Sequence, residues 1–122
     1  MYKLALALIL SAGAIFAADV TGKWNGSFIV TIDGESRDDT AYLDLKQAGS
    51  KVTGTAGPRA EKQFPIVAGT IDGDKIKISV EEKPGNIIQI ELTVDGEKMT
   101  GSGKAEHDGQ TMTAKLDLKR EK

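Results

Sequence analysis

The dipeptide Asp-Gly occurs four times: Asp33-Gly34, Asp72-Gly73, Asp95-Gly96 and Asp108-Gly109. It suits two-residue hairpin turns, because both residues can take positive φ. Ala48-Gly49-Ser50 and Lys83-Pro84-Gly85-Asn86 add two further turn signals. Between these breaks lie short runs rich in Val, Ile, Thr and Leu, and none has a sustained helical period. A chain punctuated this often has room for strands and little else. The spacing predicts strands over Gly22–Ile32, Thr40–Gln47, Lys51–Ala56, Phe64–Ile71, Lys75–Glu81, Ile87–Val94, Lys98–Glu106 and Gln110–Arg120. Links this short make consecutive strands neighbours. The predicted fold is therefore all-β: an eight-stranded antiparallel up-and-down barrel, closed so that no strand edge is left open.

The first residues read differently. Lys3 gives a short positive start, Leu4 to Phe16 is an apolar run, and Ala17 and Ala18 are small. That is the pattern of a secretory signal peptide, cleaved near Ala17 or Ala18. The rival reading is an uncleaved anchor, but the run falls short of the roughly 20 residues a membrane span needs. The expected organisation is a signal peptide over 1–18 and one barrel domain over 19–122, secreted or periplasmic. There is no cysteine, so the core must hold without disulfides. With Lys3 gone, 15 basic residues face 18 acidic ones, interleaved in sign. Nothing in that balance favours nucleic acid, and no insertion of the mature chain into a membrane is expected.

Alternation decides which side chains face the interior. On the first strand Trp24, Gly26, Phe28, Val30 and Ile32 share a face. On the second it is Ala41, Leu43 and Leu45; on the fifth Ile76, Ile78 and Val80; on the sixth Ile88, Ile90, Leu92 and Val94. On the last strand Met112, Ala114, Leu116 and Leu118 face inward, and Arg120 has the same parity. In a closed meander the first and last strands pair antiparallel, so Trp24 and Arg120 fall at one end. Either the guanidinium stacks on the indole as a structural plug, or the last strand frays after Leu118 and Arg120 is solvated.

Gly22-Lys23-Trp24 on the first strand, with Arg120 closing the last, resembles the signature of the calycin superfamily: lipocalins, fatty-acid-binding proteins and avidins. In those families a basic residue of the last strand covers the Gly-x-Trp tryptophan. The chain is similar in layout to small secreted bacterial lipocalin-like proteins. It is shorter than a typical lipocalin, and it has no C-terminal helix, helical lid or match to the avidin biotin site. The resemblance implies a closed barrel, and with it the capacity to hold an apolar ligand.

Alternate turns of a meander lie at the same end. Ala48-Gly49-Ser50, Asp72-Gly73-Asp74 and Asp95-Gly96-Glu97 share the Trp24 end and are tight, so that end is expected to be shut. The other end receives Asp33–Asp39, Gly57–Gln63, Glu82–Asn86 and His107–Gly109, of which three are expected to be long loops around a mouth. The ligand-binding residues expected near it are Val30, Ile32, Leu43, Phe64, Ile66, Val80, Ile88 and Met112, with Ala56 among the lining and Gly103 and Ala105 leaving room. The same residues can instead fill a barrel of eight strands. In that case the chain is a solid interaction or envelope protein, and Gly57–Gln63 is the loop expected to meet a partner.

Catalytic and metal chemistry find little support. His107 is the only histidine, placed in a turn with no second imidazole and no thiol to complete a metal site. Asp33, Glu35, Asp38 and Asp39 do not have calcium-loop spacing. Asn25-Gly26-Ser27 matches the glycosylation sequon but falls inside the first strand. No enzyme, cofactor or metal is expected.

Overall fold

The computed structural model describes residues 19–107 and 109–121; the expected signal peptide and Asp108 lie outside them, as does the side chain of His107. Eight strands follow one another: β1 (Gly22–Ile32), β2 (Glu35–Ala48), β3 (Lys51–Arg59), β4 (Lys62–Asp72), β5 (Lys75–Lys83), β6 (Asn86–Asp95), β7 (Lys98–His107) and β8 (Gln110–Arg120). Each pairs antiparallel with the next, and β8 returns to β1, closing the barrel. Among the described residues there is no helix.

Alternation builds the core. On β5 the exposed Lys75 and Lys77 bracket buried Ile76, which is followed by buried Ile78 and Val80. On β6 buried Ile90, Leu92 and Val94 alternate with exposed Gln89, Glu91 and Asp95 and half-buried Thr93. Every buried residue of the described chain that carries a side chain is apolar; none is polar or charged. β7 contributes little bulk: Gly101 lies between Leu92 and Leu116 in register, and Gly103 between Ile90 and Ala114. The large side chains of the flanking strands fill the space these glycines leave. At Gly101 the approach is closer still, because an added Cβ would run into the carbonyl oxygen of Glu91.

All the links are two residues long, which corrects the expectation of three long loops at one end. β2 begins at Glu35 and not Thr40, and its first residues pair with Ser27–Ile32 of β1. That polar stretch rises beyond the core, so burial imposes no apolar alternation that would mark it as a strand. β3 continues through Pro58 to Arg59, and β4 starts at Lys62, again shrinking the expected loop to a turn. Pro58 is tolerated because the β3–β4 register shifts between Ala56 and Arg59, where the ladder is interrupted.

The two ends use different turn chemistry. At the Trp24 end Gly49, Gly73 and Gly96 occupy the first turn position with φ of 64°, 65° and 65°, the Gly-first arrangement of a type II′ hairpin. Asp72 and Asp95 are therefore the last residues of their strands. Only at Asp33-Gly34, with φ of 51° and 81°, do both residues of a fully described turn take positive φ. At that opposite end the Ala60-Glu61 and Pro84-Gly85 turns are accompanied by register shifts in their hairpins, as turns that splay their strands require.

Candidate functional site

The Trp24 end is shut by a short segment ahead of the first strand. Val20 is fully buried, and its carbonyl accepts the indole N–H of Trp24 at 3.0 Å. Val20 N–H donates to Gln47 Oε1, and Gln47 N–H donates to Thr21 Oγ1, both at 3.0 Å. Arg120 lies across this segment. Its Nη1 donates to the Thr21 carbonyl at 2.9 Å, its Nη2 to the Asp19 carbonyl at 2.8 Å, and its Nε to Glu97 Oε2 at 2.9 Å. The guanidinium carbon stands 4.4 Å from the centroid of the Trp24 ring. A planar cation over the face of a buried indole, with a hydrogen bond from each of its three nitrogens, caps this end of the barrel.

The opposite end holds a cavity of about 280 Å³. Its deepest lining is buried and apolar: Leu43, Ala56, Val80, Ile90 and Leu116. Phe28, Phe64 and Ile88 are half-buried walls packed against that core. The strand registers place these residues together, since Leu43 pairs with Ala56, Ala56 with Phe64, Val80 with Ile88 and Phe28 with Leu116. Asp39, Thr40, Gly57, Pro58, Lys62 and Glu82 complete the lining toward solvent.

Of the eight residues expected to bind a ligand, the cavity brings together Leu43, Phe64, Val80 and Ile88. Val30, Ile32, Ile66 and Met112 are half-buried but are not part of its lining. Val30 and Ile32 sit in the β1–β2 hairpin opposite Arg37 and Glu35, beyond the level of the cavity. Ile66 packs against the core at the start of a bulge in β4. Phe28, Ile90 and Leu116 line the cavity though the sequence reading did not place them there; their inward parity is the signal that marks them. Asp39 also shares the inward face of Ala41 and Leu43, but only once β2 is extended back to Glu35.

Hydrogen bonds fix part of the rim. Thr40 Oγ1 donates to the Pro58 carbonyl at 2.8 Å, and Thr40 N–H donates to Asp39 Oδ1 at 2.8 Å. Asn86 Nδ2 donates to Glu82 Oε1 at 2.8 Å, while Asn86 Oδ1 is buried with no partner. The hydrogen bonds of Thr21 hold the Asp19 carboxyl below the ordinary carboxylate range. Partial burial beside the Glu121 carboxylate raises the Tyr42 phenol above its ordinary value. Asp19 and Tyr42 both lie outside the cavity lining. Among the described residues no three His, Cys, Asp or Glu side chains converge to hold a metal ion. Comparison with family models, with curated proteins and with solved structures finds no match to this chain.

Proposed function

We propose that this protein is a secreted or periplasmic barrel of calycin type that binds a small apolar molecule at its open end and catalyses no reaction. One observation carries the reading: a cavity of about 280 Å³, floored by Leu43, Ala56, Val80, Ile90 and Leu116, at the end opposite the Arg120 cap. Its size falls just below the usual range of small-molecule pockets, which begins near roughly 300 Å³. At about 30 Å³ for each water in the liquid, it has the volume of roughly nine waters. Fatty acids of full length exceed it, and compact apolar molecules fit.

The test is thermal unfolding against a panel of apolar molecules of that size. Binding to the folded state alone raises the melting temperature by mass action. Ala56→Leu places extra side-chain volume in the floor of the cavity and should abolish the rise. A panel without effect, or a rise that survives Ala56→Leu, overturns the reading in favour of a filled barrel whose contacts are with other proteins. Trp24 fluorescence is the wrong reporter, because the indole is buried at the other end under Arg120.

A further inference from the structure

Resting on that reading, we infer that the ligand carries a cationic amine head: an apolar body for the cavity, and an ammonium group for the rim. The rim is built almost entirely of acceptors. Two of its residues, Asp39 and Glu82, carry carboxylates. The hydroxyl of Thr40 spends its proton on the Pro58 carbonyl, so toward a ligand it offers only lone pairs. Asn86, outside the lining, donates its Nδ2 to Glu82 Oε1 at 2.8 Å and holds that side chain in place.

The one side-chain donor in the lining is Lys62. It is exposed, and its four-carbon stem lets the ammonium move out into water, so it can leave the mouth without disturbing the barrel. Glu82 is half-buried and tied to Asn86, and cannot leave as freely. A fatty-acid carboxylate is acceptor-only and would enter against two negative groups with one mobile cation to meet it. An ammonium supplies three donors and a positive charge to a rim that lacks both. An uncharged alcohol, with a single O–H donor, falls between.

Octylammonium, octan-1-ol and nonanoate share one octyl body and differ only in the head. Each is titrated below its micelle concentration into the protein, with binding read from the methyl NMR signals of Leu43, Val80 and Ile88. The expected order is ammonium, then alcohol, then carboxylate, with about five- to tenfold between the first two, the range of a partly screened charge contact. Glu82→Gln and Asp39→Asn should each weaken octylammonium more than octanol and so narrow the ammonium preference. Equal binding by all three, or tightest binding by nonanoate, overturns the amine head while the apolar cavity stands. A preference for ammonium that survives both substitutions overturns it equally. No methyl shift with any of the three overturns the head and the cavity together.

Discussion

The guanidinium of Arg120 lies 4.4 Å from the ring centroid of Trp24, and the indole beneath it is wholly buried. The two residues are register partners on the first and last strands, so their contact is also the seam that closes the barrel. Arg120 does more than cover the ring. It ties down the carbonyls of Asp19 and Thr21, and the segment so held brings Val20 to the indole N–H. Cap, seam and leading segment form one structure.

Trp24→Ala should cost about 3–5 kcal/mol, the range for a buried aromatic truncated to alanine. That is a large share of the stability of a domain this size. Arg120→Ala should cost about 2 kcal/mol through the lost stack and the lost donors to two carbonyls. The ion pair to Glu97 adds little, since Glu97 is mostly exposed. Arg120→Lys should recover only part, because an ammonium has neither the planar face nor the fork. Urea unfolding of the double-mutant cycle should give a coupling of about 1 kcal/mol between the two positions. Additive losses would mean that the stack carries no energy.

Asp19 sets an acid limit on the same end. Its folded-state titration is depressed, chiefly by the hydrogen bond from Thr21 N–H at 3.0 Å and then by the Thr21 hydroxyl. A depressed carboxyl stabilises the fold fully above its unfolded titration point, and that contribution is lost as pH falls through the lower folded one. Asp19→Asn should therefore weaken the protein at neutral pH and flatten the loss of stability on acidification below the ordinary carboxylate range. Melting temperature across that window, variant against parent, reads the difference. Parallel curves would mean the carboxylate contributes nothing.

Gly101 and Gly103 are two residues apart on one face of β7 and should respond oppositely to the same change. A Cβ at Gly101 collides with the Glu91 backbone carbonyl, which cannot move without breaking the β6–β7 ladder. A Cβ at Gly103 meets Ile90 Cγ1 at 3.4 Å and Leu116 Cδ1 at 3.8 Å, ordinary packing contacts with side chains. Gly101→Ala should destabilise by about 3 kcal/mol or more through strain. Gly103→Ala should be neutral or gain up to about 1 kcal/mol from a stiffer unfolded chain, a rise in melting temperature of about 4–8 °C at the upper figure.

The strands and their order could be read from the turn residues and from alternation, and the facing of Trp24 and Arg120 followed from parity alone. Sequence reading failed where burial stops acting on sequence. Glu35–Thr40 pairs along β1 without an apolar stripe, so it looked like a loop. Lys62 and Glu82 were assigned to loops for the same reason, and with Asp39 they make the polar rim of the cavity. Pro58 fell in the expected Gly57–Gln63 loop but lies in β3, where the pairing to β4 is irregular.

β4 holds the other feature that no pattern announced. Ile66 pairs with Val80 and Ala68 with Ser79, leaving Val67 as an extra residue with 53% of its surface exposed. The bulge switches the inward parity of the strand from Phe64 and Ile66 to Gly69 and Ile71. Two side chains adjacent in sequence thus differ sharply in what they do. Ile66→Ala should cost about 2 kcal/mol, the low end for a buried aliphatic, since Ile66 is only half-buried. Val67→Ala should stay within about 0.5 kcal/mol, as surface substitutions do. The register of β4 is broken on both of its sides, toward β3 and toward β5. Its central amides should therefore open at lower free energy than those of β6, whose ladder to β7 is unbroken. Native-state hydrogen exchange measures this directly, and protection of Ile66–Gly69 equal to that of Ile90–Val94 would show that the bulge costs the barrel no local stability.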